Sequence, residues 1–250
     1  MGILRNIWVA LGLCVTAAAA SPVGIDERLG QTVPLETVFR DEAGKPVPLR
    51  AVVTKPTLLL LVYYECPSIC NPLMNSLVET LNRTDLVPLR DFQVVTVSFD
   101  ETETAPLAAR KKENYLKAFQ RPFPPEAWHF LTGEKKSIDA LTDAVGFRFQ
   151  RTGKDFNHAG AIIVLSPEGK IVRYLHGISF MPFDIKMSLI EASKGKTMPA
   201  VNRMLAFCYS YDPEGRKYTF NLLKVAGISM VTFIGLFVAW LVVTTKRQKA

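Results

Sequence analysis

Cys66 and Cys70 form a C-x-x-x-C pair within Tyr63-Tyr64-Glu65-Cys66-Pro67-Ser68-Ile69-Cys70. A thiolate is both a nucleophile and a soft metal ligand, so the pair admits a structural disulfide, a reversible dithiol couple or a metal site. A bridge across so short a loop would constrain the unfolded chain little, which weighs against a purely structural disulfide. Dithiol redox sites at helix starts usually have two residues between their cysteines, and here there are three. His158, in Asp155-Phe156-Asn157-His158, offers an imidazole. Two thiolates and one imidazole suit Cu(I) and can accept Cu(II). Spacing alone does not bring His158 to the cysteines, so the metal and redox readings both stand at this point.

The elements that must position these residues follow from periodicity. Thr57 to Tyr63 is a nearly unbroken apolar run, the pattern of a strand covered on both faces, and the cysteine pair lies at its exit. Asn71 to Arg83 then places Leu73, Met74, Leu77, Val78 and Leu81 on one helical face. The free amides and positive end of that helix favour a thiolate. Phe92 to Phe99 reads as a second buried strand, 106–119 as a helix, Trp128 to Leu131 as a short strand and 137–145 as another helix. Ala161 to Leu165 and Ile171 to Leu175 flank Ser166-Pro167-Glu168-Gly169 and read as an antiparallel hairpin, with a last helix over 184–193. Before all of these, 24–56 reads as an irregular stretch with a hairpin turning at Asp41-Glu42-Ala43-Gly44 and extended from Val47 to Val53. This order predicts an α/β, thioredoxin-like sandwich with an N-terminal hairpin extension. His158 stands just before the strand at Ala161, where such a topology returns the chain toward the cysteine helix. No proline occurs from Arg148 to Leu165, unlike the strand start of thioredoxin-like reductases.

The ends carry topology signals. Arg5, the apolar run Ile7 to Val15 and the small residues Thr16 to Ala20 follow the order of a secretory signal, with cleavage expected after Ala20; Cys14 would leave with it. Val225 to Thr245 has no charged residue and is about the roughly 20 residues a helix needs to cross a bilayer. Lys246, Arg247 and Lys249 follow directly and would stay cytoplasmic. The expected layout is therefore a signal peptide over 1–20, a domain over 24–196, a juxtamembrane connector over 197–224, a single C-terminal transmembrane helix over 225–245 and a cytoplasmic tail over 246–250. It implies a single-pass plasma (inner) membrane protein with its domain on the periplasmic side. The formal charge of +7 loses Arg5 and the three tail cations, which leaves +3 outside and no nucleic-acid signature. Cys208, close to the membrane, reads as a packed apolar cysteine, a partner-facing thiol or a fourth ligand. His129 and His176 read as structural or surface histidines.

The residues also carry a family resemblance. Tyr63 to Cys70, Val97-Ser98-Phe99-Asp100, Asp155-Phe156-Asn157-His158 and Pro167-Glu168-Gly169-Lys170 together resemble the Sco/SenC copper chaperones of cytochrome c oxidase, over roughly Gly30 to Lys194. The resemblance implies Cys66, Cys70 and His158 as copper ligands. It also implies a role in maturing the binuclear copper centre of oxidase subunit II, by delivering copper or by reducing that centre's cysteines. Asn71 rather than proline follows the second cysteine, Thr104 replaces the second aspartate of the acidic turn, and the anchor is C-terminal. Two other functions remain open: a membrane-anchored thiol-disulfide oxidoreductase using Cys66 and Cys70 as catalytic groups, and an accessory subunit of a respiratory complex.

Overall fold

In the computed structural model the described residues are 23–195, 209–212 and 217–220, with the single positions Met230, Phe233 and Phe237. The chain divides into two units between Gly195 and Lys196.

The first unit is organised by apolar runs that the sheet buries on both faces. In chain order its elements are β1 (Gly24–Ile25), β2 (Val38–Arg40), β3 (Pro46–Pro48), α1 (Leu49–Val52), β4 (Thr57–Val62), α2 (Cys70–Asn82) and β5 (Gln93–Ser98). There follow α3 (Ala105–Lys117), β6 (Trp128–Leu131), α4 (Lys135–Ala144), β7 (Phe147–Arg148), β8 (Gln150–Thr152), β9 (Asp155–Asn157), β10 (Ala161–Leu165), β11 (Ile171–His176) and α5 (Pro182–Ser193). Five strands make the main sheet in the order β11-β10-β4-β5-β6. β4, β5 and β6 are parallel, joined through α2 and α3, whereas β10 runs antiparallel to both β4 and β11. Every residue of β4, β5 and β10 is buried, which is why these strands read as continuous rather than alternating runs.

α2 buries Leu73, Met74, Leu77, Val78 and Leu81 and packs against both α3 and α5. α5 lies on β10 and β11, and α3 on β6. The N-terminal hairpin forms as β2 and β3, with Phe39 inserted in the core. Its second arm is shorter than expected. Where extended chain was expected to continue to Val53, Leu49–Val52 closes one helical turn, because Leu49 and Val52, three apart, then share the buried side.

Register places the site. Ile162 pairs with Leu60 in antiparallel sense, so the start of β10 lies beside the end of β4. The segment before β10 therefore meets the segment after β4. The former is shaped by a hairpin absent from the sequence reading, in which β8 pairs with β9 from Gln150↔Asn157 to Thr152↔Asp155. Gly153, at φ +65°, makes its tight turn.

In the second unit the described strands are β12 (Tyr209–Asp212) and β13 (Lys217–Phe220), an antiparallel pair within the stretch expected as a connector. Among the described residues no helix is long and apolar enough to cross a membrane. The expected span at 225–245 lies outside them except for the helical positions Met230, Phe233 and Phe237, and the expected signal, Cys208 and the basic tail lie outside them altogether.

Candidate metal centre

β4 ends at Val62, and Tyr63 to Cys66 close a turn in which the Cys66 N–H donates to the Tyr63 carbonyl at 3.2 Å. Four residues later Cys70 begins α2. The chain thus turns back on itself between the two cysteines, and both side chains point inward: Cys66 is 3% exposed and Cys70 fully buried, each a free thiol. His158 arrives from the other side, carried by β9 to the mouth of β10.

The ligand atoms of Cys66, Cys70 and His158 all lie within 4.8 Å of one another, and no other such cluster containing His129 or His176 occurs among the described residues. Cys70 Sγ and His158 Nε2 are 3.4 Å apart. His158 Nδ1 is 3.0 Å from the Ala159 carbonyl oxygen, which can only accept, so Nδ1 carries the proton and Nε2 turns a bare lone pair toward the sulfurs. A backbone carbonyl fixing one ring nitrogen so that the other can ligate is the usual support of a metal-binding histidine. The ring is walled by aromatics: Phe99 at 5.1 Å, Tyr63 at 5.8 Å and Phe147 at 6.1 Å between centroids. Burial among them holds the imidazole below its ordinary pKa, against the Ala159 hydrogen bond, and so keeps it neutral at neutral pH.

The two sulfurs are not equivalent. Burial pushes the Cys66 thiol up, but the Cys70 N–H, the Cys70 thiol, the Ser68 N–H and the Tyr63 hydroxyl outweigh it and hold it below the ordinary value. The Ser68 N–H lies 3.4 Å from Cys66 Sγ. Burial drives Cys70 the other way, well up, and the hydrogen bond with Cys66 adds to that. The sequence alone gave both thiols the benefit of the helix start; in the structure the first proton leaves Cys66, and Cys70 retains its own.

Charged groups around the site anchor its two halves. Asp100 Oδ1 accepts from the Thr102 N–H at 3.0 Å, the Thr102 hydroxyl at 2.8 Å and the Arg151 guanidinium at 2.8 Å. Arg151 also covers the Phe156 ring at 4.3 Å within the β8–β9 hairpin, and its ion pair with Asp100 ties that hairpin, and through it His158, to the end of β5. Asn71 donates to the Cys66 carbonyl at 3.3 Å and accepts from the Tyr115 hydroxyl at 3.0 Å. His129 lies on β6 and His176 pairs with Glu27 at 2.9 Å.

A family model described as SCO1/SenC matches residues 30–185. The chain belongs to the SCO1/SenC family. No curated protein matches it in sequence. Among solved structures, this SCO1/SenC chain is similar to a candidate electron transfer protein of Aquifex aeolicus VF5. They share 28% identity and a TM-score of 0.61, over 66% of this chain and 95% of that one. It has the fold of Arabidopsis thaliana ScoI with copper bound, at 18% identity and a TM-score of 0.51 over 67% and 99% of the two chains. It also has that of BsSco, described as a member of the Sco family of cytochrome c oxidase assembly proteins, at 20% and 0.52 over 69% and 99%. The thioredoxin-like α/β expectation agrees with these. The SCO1/SenC sequence did not disclose the pairing of Asp100 with Arg151 or of Asn71 with Tyr115, because each joins residues tens of positions apart.

Proposed function

We propose that this chain binds copper through Cys66, Cys70 and His158 and serves the assembly of cytochrome c oxidase. The observation that carries the reading is the convergence of two buried sulfurs and one bare, half-buried imidazole nitrogen within 4.8 Å. This is a soft donor set, matched to copper ions. Membership of the SCO1/SenC family, and the copper-bound and oxidase-assembly descriptions of structures with the same fold, support it. Copper is here cargo: Cys66, already favoured as thiolate, meets the ion first, Cys70 gives up its proton as its sulfur binds, and His158 needs no deprotonation. The finer reading is that the recipient is the binuclear centre of oxidase subunit II. It sets the domain outside the plasma membrane, held by the apolar run at 225–245, after loss of residues 1–20. Competitive titration of Cu(I) and Cu(II) against chelators tests the site; a Cys66→Ala or Cys70→Ala variant that still binds either ion tightly would defeat it.

The unequal thiols favour a second reading, reduction of a client disulfide. Cys66 thiolate would attack the client's disulfide, releasing one client thiol; Cys70 would then displace the other and leave a Cys66–Cys70 disulfide, the client gaining the two electrons. His158 separates the readings, since copper binding depends on it and dithiol exchange does not.

A further inference from the structure

The turn that delivers Cys66 depends on a side chain from another part of the chain. Tyr63 to Cys66 is closed by one internal hydrogen bond, which leaves the peptide N–H groups of its central residues, Tyr64 and Glu65, unused within the turn. Both point at one carboxylate. Glu103 Oε2 accepts from Tyr64 N at 2.7 Å, and Oε1 from Glu65 N at 2.8 Å. The Ser98 hydroxyl donates to Oε2 at 2.5 Å, and Ser98 Oγ in turn receives the Asp100 N–H at 3.1 Å. Among the described residues no lysine or arginine pairs with Glu103, so a half-buried carboxylate is stabilised by three donors alone. Such an arrangement costs desolvation that a surface glutamate avoids, and it is repaid only where the donors are fixed.

We propose that Glu103 is the positioning residue of the dithiol site: by accepting the two peptide N–H groups before Cys66, its carboxylate holds the Cys66 sulfur in register with Cys70 and His158. All three contacts are donors, so glutamine, with a single acceptor oxygen, must abandon at least one and turn its own N–H₂ toward another. The turn is then free to swing about Tyr63, and Cys66 moves with it. A purely structural role predicts a loss of stability with an unchanged site. Glu42 supplies the matching control: it is also half-buried and accepts from the Phe130 N–H at 2.7 Å and Lys112 Nζ at 2.8 Å, partners on β6 and α3.

The metal test rests on the proposed copper binding and compares the purified full-length wild type, Glu103→Gln and Glu42→Gln below their melting temperatures. Glu103→Gln should bind Cu(I) 10- to 100-fold more weakly, the range for groups that orient a ligand, and lose intensity in the thiolate-to-Cu(II) band. Glu42→Gln should lose stability alone. Should Glu103→Gln fail to fold, Ser98→Ala removes one donor from the same carboxylate, and a severalfold loss of affinity is expected; unchanged affinity in the folded variant overturns the proposal. If the wild type takes up neither ion, the copper reading fails, and positioning is then decided on the metal-free dithiol. With glutathione disulfide as oxidant, Cys70 displaces glutathione from the mixed disulfide at Cys66. Glu103→Gln should slow that closure about tenfold if the clamp sets the register, and an equal rate would overturn the claim.

Discussion

Replacing Asp100 by asparagine tests how the β8–β9 hairpin holds His158. Asp100 is 7% exposed, and its Oδ1 takes all three donors, from Thr102 twice and from Arg151. The exposed end of the ion pair, Arg151, keeps 43% of its side-chain surface in water, so the fully buried figure of 3–5 kcal/mol does not apply and the surface figure of 0–1 kcal/mol is too small. A loss of about 2 kcal/mol follows, equivalent to a fall in Tm of roughly 4–8 °C for a domain of this size. Burial pushes the Asp100 carboxyl up, but Thr102 and Arg151 outweigh it and hold it below the ordinary aspartate value. A depressed folded pKa stabilises above the unfolded value, about pH 3.9, and the contribution is lost as pH falls through the folded value. The Tm gap between wild type and Asp100→Asn should therefore be constant from about pH 5 to 8 and narrow toward pH 3. The same variant should bind copper roughly tenfold more weakly, because the hairpin that aims His158 has lost its tie. Equal melting temperatures at pH 7, or a gap that widens on acidification, would refute the reasoning.

Three further outcomes are expected. Copper uptake at pH 7 should release the Cys70 proton and any remaining on Cys66 but none from His158, so affinity should rise about tenfold or more per pH unit between 6 and 8; a flat profile contradicts a proton held on Cys70. Leu77→Ala, at a fully buried position on α2, should cost about 3 kcal/mol in denaturant unfolding, and a loss below about 1 kcal/mol would show that the helix is not packed as described. Protease added to intact spheroplasts should digest the domain; protection of the domain with cutting of the tail would reverse the proposed topology.

Much of the frame was legible because its signals are local. The period of Leu73, Met74, Leu77, Val78 and Leu81 defines α2, and the unbroken runs at Thr57 and Ala161 announce buried strands. β8 and β9 escaped because they are short and mostly exposed, with only Phe156 of their residues buried. The meeting of His158 with the cysteines depends on the Ile162↔Leu60 register, a pairing across about a hundred residues that no local pattern records. The inequality of Cys66 and Cys70 likewise comes from tertiary burial, which the shared helix start conceals, and Glu103 looks in sequence like any glutamate in a polar turn.

The central claim is most directly tested by copper bound per full-length chain, with its absorption spectrum, for wild type beside His158→Ala, His129→Ala and His176→Ala. The account predicts about one ion with a thiolate-to-Cu(II) band in wild type and in the His129 and His176 variants. His158→Ala should keep only weaker Cu(I) binding and lose the band. An unaltered Cu(II) spectrum in His158→Ala would contradict the assignment of the third ligand and leave dithiol exchange as the function of Cys66 and Cys70.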